Sequence, residues 1–136
     1  MAANTTPIFP LTPQVSWGTI TDANTAKDGT GTVVTVFTAG ANGARVDEIK
    51  IKPLGTNVAT VMRFFINNGQ SNEIAANNSL YLEQTLAEAT ESAVEALAEY
   101  AIEPDNLVLP AGYKLNVTLG TEVAAGYQVT VLGGDY

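Results

Sequence analysis

The chain contains no cysteine and no histidine among its 136 residues. Without cysteine there is neither a disulfide framework nor a thiolate zinc site. Without histidine the commonest general base and the commonest transition-metal ligand are missing, so Ser-His and Cys-His nucleophilic machinery is excluded. Positive charge is also scarce: six Lys and Arg stand against fourteen Asp and Glu, for a formal net charge of -8. Between Arg63 and Lys114 lie eight acids, Glu73 through Asp105, and no Lys or Arg. Phosphate backbones are bound mainly by cations, so this balance argues against nucleic acid as a partner. No basic-then-apolar leader opens the chain, and no apolar run approaches the roughly 20 residues of a membrane helix, so a soluble chain without a membrane partner is expected.

What is present favours β structure. Hydrophobic residues make up 46 % and charged residues 15 %, the composition of one ordinary domain with a real core. Twelve glycines accompany many Thr, Asn and Val. The clearest alternation is at the end of the chain. Tyr113, Leu115, Val117 and Leu119 alternate with Lys114, Asn116 and Thr118, and Tyr127, Val129 and Val131 alternate with Gln128 and Thr130. That period of two marks strands with one face inward.

The same stretch, LPAGYKLNVTLGTEVAAGYQVTVLGGDY, resembles the close of small head proteins encoded by tailed bacteriophages, where an LPAGYxL segment, a glycine-interrupted strand and a terminal GGDY or GGDF recur. The likeness covers about the last third of the chain. It implies a jelly-roll β-sandwich that decorates or cements a capsid, with the major capsid protein as partner and no catalytic residues. The corresponding location is the virion surface, after synthesis in the bacterial cytoplasm.

The first segment, MAANTTPIFPLTP, carries Pro7, Pro10 and Pro13 and should be extended, because proline fixes its own φ and disfavours helix in the residue before it. Two fates are open for Ile8, Phe9 and Leu11 at its centre. They fold back over the domain's own core, or the arm reaches a neighbouring subunit and adds to a sheet edge. We therefore divide the chain into an N-terminal arm, residues 1–13, and a single sandwich, residues 14–136.

Strands are expected near 14–21, 32–39, 45–52, 57–67, 79–86, 98–103, 107–119 and 126–132. In the first, the lone Trp17 reads as core. Asn42-Gly43 marks a type I′ turn, making residues 32–52 a hairpin. The parity of apolar residues slips between Val46 and Ile49, which predicts a bulge near Asp47. Arg63, inside a strand apolar on both faces, needs an acidic partner or a route to water. In SLYLEQTL, Leu80, Leu82 and Leu86 share a face. Over residues 86–97, Leu86, Ala89, Ala93 and Leu97 recur at helical spacing opposite Glu88, Glu91 and Glu95, and Ser92 to Glu95 fits a capping box, so one short helix is expected there.

The expected fold is all-β: an antiparallel sandwich of jelly-roll type with about eight strands. Chemistry motifs are thin. Asp22, Asn24 and Asp28 lack the spacing of a calcium loop, Glu99 and Glu103 are not positioned as a glycosidase pair, and no cofactor is implied. The expected role is non-enzymatic and structural, as a homo-oligomer, either trimer or dimer. The candidate contacts are the two chain ends: Pro7, Ile8, Phe9, Pro10 and Leu11, with Asp135 and Tyr136. A tail or fibre module and a carbohydrate-binding sandwich are the alternatives, the latter requiring rings such as Trp17, Tyr81, Tyr100, Tyr113 and Tyr127 on one exposed face.

Overall fold

The structure, a computed structural model, describes residues 9–136. Nine strands follow in order: β1 (Thr12–Ile20), β2 (Val34–Thr38), β3 (Ala44–Pro53), β4 (Thr60–Asn67), β5 (Asn78–Leu86), β6 (Tyr100–Ile102), β7 (Leu107–Leu109), β8 (Lys114–Leu119) and β9 (Tyr127–Asp135). One sheet runs β1-β9-β3-β6, with β7 also on β3, and the other runs β2-β8-β4-β5. All strand pairs are antiparallel. The pairing is nested, first strand with last and β4 with β5 innermost, and the short β6 and β7 together fill one strand's place. That nesting is a jelly roll.

The core lies between the sheets. Ile49, Ile51, Val129 and Val131 from one side meet Met62, Phe64, Leu115 and Val117 from the other, all fully buried. The predicted bulge is present, since the β3–β9 register shifts between Val46 and Glu48 and leaves Asp47 extra. Arg63 finds its acid in Glu83 across the β4–β5 pair, Nε to Oε1 at 2.9 Å.

Four expectations are corrected. Residues 86–97 form no helix. Ser92 Oγ does receive the Val94 and Glu95 N–H groups at 3.1 and 3.2 Å, as a cap would, but nothing propagates from it. The prospective apolar face is mostly alanine and buries too little to hold a helix against the sandwich. Outside partners take the backbone instead: Asn57 and Ala89 exchange both N–H···O bonds, and Thr56 Oγ1 receives the Glu91 N–H at 3.0 Å. Residues 32–52 are not a hairpin, because β2 and β3 lie in different sheets. Asn42 does not take the positive φ that a type I′ turn needs; Gly43 does, at 88°, and the turn carries the chain from one sheet to the other. Residues 107–119 are two strands rather than one, since the turn at Pro110 to Gly112 moves the chain from β3's side to β2 and β4. Finally, Leu80 and Leu82 do not share a face. The β4–β5 register skips Tyr81, so Leu82 stays opposite Phe64 over the core while Leu80 turns outward opposite Phe65.

The fully buried Phe65 stands apart from the central core cluster. It pairs with Asn116, which is also buried and whose neighbours Leu115 and Val117 face the core. Phe65 therefore belongs to the outer face of its sheet. The connection between β1 and β2 lies over that face. Ala23 bridges to Leu119 of β8, and further along the Gly29 and Gly31 carbonyls receive Asn72 while the Asp28 carbonyl receives Asn78 of β5. The loop holds its own shape through Asn24, whose side-chain amide donates to the Thr30 and Thr32 carbonyls at 2.8 and 2.7 Å. The doubly apolar strand is thus buried by its own chain.

Candidate contact surface

With β4 covered, a run of exposed apolar side chains is found instead along β1. Trp17, expected in the core, is 61 % exposed. Val15 and Leu11 on the same side of the chain are 55 % and 82 % exposed. The reason is the other face of the strand. Gln14, Ser16 and Gly18 point inward, where β2 approaches so closely that a Cβ on Gly18 would meet Val34 Cγ1 at 2.7 Å and Val36 Cγ1 at 3.3 Å. The two sheets pinch together at this edge, leaving room only for small residues inside, and the large apolar ones are displaced outward.

The register extends the patch over the sheet. Val15 stands opposite Leu132, Trp17 opposite Thr130 and Thr19 opposite Gln128, and beyond them on β3 come Glu48, Lys50 and Lys52. Lys50 reaches Glu48 at 3.8 Å, and Lys52 donates to the Leu97 carbonyl at 2.7 Å. No ionisable side chain precedes Asp22, so the whole β1 end of the face is uncharged. Outward-facing Trp and Val on an uncharged strand mark a contact surface more often than a solvated one.

The two ends of the chain meet beside it. The Leu11 N–H donates to the Asp135 carbonyl at 2.8 Å, and the Tyr136 N–H donates to the Gly43 carbonyl at 3.1 Å. Pro10 lies over Gly134, where a Cβ would stand 2.5 Å from Pro10 Cβ. Phe9 is 65 % exposed; with Leu11 it does not fold back over the core, which answers that expectation for these two side chains. Pro7 and Ile8 lie outside the described residues. Asp135 turns out to be occupied internally: its carboxylate receives the Gly40 N–H at 3.0 Å and Gln14 Nε2 at 2.8 Å. Tyr136 is half-buried. The structure thus assembles Phe9, Pro10, Leu11, Asp135 and Tyr136 in one corner and adds Val15 and Trp17. The signal for the last two was available in the sequence, since their alternation partners Gln14, Ser16 and Gly18 are poor core residues.

The terminal Gly-Gly pair has a structural cause as well. A Cβ on Gly133 would run into the Arg45 carbonyl beside the Asp47 bulge, and Gly134 leaves space for Pro10. The pattern that suggested the phage resemblance is therefore a packing requirement of the last strand.

Other candidates carry less. A surface groove of about 510 Å³ is lined by Thr56, Asn57, Val58, Glu88, Val123 and their neighbours. Its floor is rigid: buried Asn57 donates to the Gly126 carbonyl at 2.8 Å and accepts the Ala125 and Gly126 N–H groups at 2.9 Å each. Glu99 and Glu103 flank β6 and are exposed. Among the described residues no group of three or more Asp or Glu is placed to hold a metal ion, and no helix is long and apolar enough to cross a membrane.

No protein-family model matches the chain, and no curated protein does. Among solved structures, a chain of the cyanophage Pam1 capsid asymmetric unit is similar at 15 % identity and a TM-score of 0.40, over 98 % of this chain and 91 % of that one. A superposition of that quality carries no argument about role.

Proposed function

We propose that this chain is a structural, non-enzymatic virion protein that binds the outside of a bacteriophage capsid and stabilises the shell. The observation that carries this reading is the uncharged outward face of β1, with Val15 and Trp17, continuing into the corner where Leu11 and the last strand meet. A jelly roll supplies a rigid platform, and Phe9, Leu11, Val15 and Trp17, four of its exposed large apolar residues, follow one another along β1 and the segment leading into it. The resemblance of the C-terminal segment to phage head proteins supplies the biological setting, and the major capsid protein is the partner it suggests. The mechanism is linkage: a protein that binds the assembled shell and not its dissociated subunits raises the free energy of disassembly by RT ln(1 + [L]/Kd). The arm residues Phe9, Pro10 and Leu11 and the terminal Tyr136 are the contact elements at the margin of the face.

The carbohydrate reading lacks its platform. Of the five rings it would need, only Trp17 is exposed; Tyr81, Tyr100 and Tyr113 are half-buried and Tyr127 is fully buried. A tail or fibre module would use the same apolar face on a different partner.

Co-sedimentation with purified heads that lack the protein tests the proposal. Saturable binding in fixed proportion to shell subunits, lost in Trp17→Lys, is the expected result. Heads left bare at saturating protein, with binding to purified tails instead, would overturn it.

A further inference from the structure

The backbone of β1 points to a second kind of contact, independent of the shell. Among the described residues β1 pairs only with β9, and its other edge is free. Which groups it presents follows from alternation. The Leu54 N–H donates to the Gly126 carbonyl at 3.0 Å, in line with the β3–β9 register of Pro53 with Tyr127. In an antiparallel ladder successive residues turn their N–H and C=O to opposite sides. Residues 126, 128 and 130 therefore face β3, while Tyr127, Val129 and Val131 face β1, where they meet Ile20, Gly18 and Ser16. The N–H and C=O groups of Val15, Trp17 and Thr19 are thereby turned to the free edge. Pro13 shares their parity, and it is the one residue type with no N–H to leave unpaired there.

Natural edge strands are usually guarded by Lys, inward charges or covering loops. This edge is nine residues long, has no ionisable side chain, and exposes Val15 and Trp17 on the same residues whose backbone is unpaired. We propose that it pairs antiparallel with β1 of a second copy about a two-fold axis at Ser16, joining the two β1-β9-β3-β6 sheets into one. In that register Val15 lies opposite the second copy's Trp17, and Trp17 opposite its Val15, so the two apolar positions cover each other twice. Charge favours this edge over the β5 and β6 edges, and its nine residues against the five of β2 favour it over the other uncharged edge. The acids of residues 73–105 sit on β5 and on the connections before and after it and just past β6, around the far edges of both sheets, where two chains of net charge -8 repel. At β1 two copies approach without opposing carboxylates. Paired in this way, the outward faces merge into one apolar surface of doubled length.

Light scattering on the full chain over a concentration series, with amide hydrogen exchange, tests the pairing. The mass should rise from 14.2 kDa to twice that value. The amides of Val15, Trp17 and Thr19 should gain protection with concentration, while those of Ser16 and Gly18 are protected throughout. Trp17→Lys places a charge opposite Val15 in each of the two facing pairs and should weaken association at least tenfold. Val15→Pro, which removes only a free-edge N–H, should do the same with β9 pairing intact. A monomer at every concentration, a closed trimer, or association that survives both variants with those three amides unprotected would overturn the pairing. The shell reading fails separately: a dimer that leaves heads bare sinks that reading alone, and a monomer that coats heads sinks the pairing alone.

Discussion

The Asp135 carboxylate receives the Gly40 N–H at 3.0 Å, linking the last strand to the turn between β2 and β3 across 95 residues of chain. Its other oxygen receives Gln14 Nε2 at 2.8 Å, so one side chain near the C-terminus fixes both the first strand and the turn that passes between the sheets. Hydrogen bonds to a carboxylate are about twice as strong as neutral ones. Asp135→Ala should lower stability by about 2 kcal/mol and Asp135→Asn by about half of that, read from denaturant midpoints at constant m-value. If shell binding falls only in proportion to the loss of folded protein, Asp135 is a brace of the contact corner rather than a contact.

Asn57 plays the same part at the opposite end of the sandwich. All three of its side-chain hydrogen bonds go to the backbone of Ala125 and Gly126, and its own backbone pairs with Ala89. Asn57→Ala leaves the Ala125 and Gly126 N–H groups without partners and the Gly126 carbonyl with the Leu54 N–H alone, and should cost about 3 kcal/mol. Hydrogen exchange should speed up at Ala89 as well as at Gly126, because both loops hang on the one residue.

Tyr127 is fully buried, and its hydroxyl has no hydrogen-bond partner among the described residues. Burial, reinforced by the nearby Tyr100, raises its phenol above the ordinary value of 10.0. A raised folded-state value means that the unfolded chain loses its proton first. The stability that Tyr127 contributes is complete below pH 10.0 and declines as pH rises toward the folded value. Tyr127→Phe removes an unsatisfied polar group, so it should raise stability at neutral pH by about 1 kcal/mol and flatten the alkaline decline. Urea midpoints for both proteins at neutral pH and above pH 10 check the two parts together.

Period-two alternation and local conflicts within it were legible in the sequence: the last two strands, β8 and β9, the bulge at Asp47, and the need of Arg63 for an acid. Each depends on residues near one another in the chain or on charge alone. What stayed hidden depends on the approach of distant segments. Trp17 faces out because β2 crowds Gly18, the β1–β2 loop covers Phe65, and residues 86–97 stay irregular because Thr56 and Asn57 claim their backbone. The proposed contact corner was half legible. Chain ends rich in Pro and apolar residues suggested it, while the internal use of Asp135 and the outward turn of Val15 and Trp17 required the fold.

Trp17 separates binding from folding most cleanly. It is the only tryptophan, so its fluorescence reports the face directly. In the free protein at low concentration, its emission should be red-shifted and readily quenched by iodide, as for an indole in water, and it should shift to the blue and resist quenching when the protein sits on heads. Because the side chain is 61 % exposed and lies outside the core cluster, Trp17→Ser should change stability by no more than about 0.5 kcal/mol. A large aromatic at the centre of an interface typically contributes about 2 kcal/mol or more on truncation, so affinity for heads should fall roughly thirtyfold. Full affinity in Trp17→Ser, or an emission spectrum unchanged by saturating heads, would move the shell contact off β1 and leave the chain-end corner to carry it.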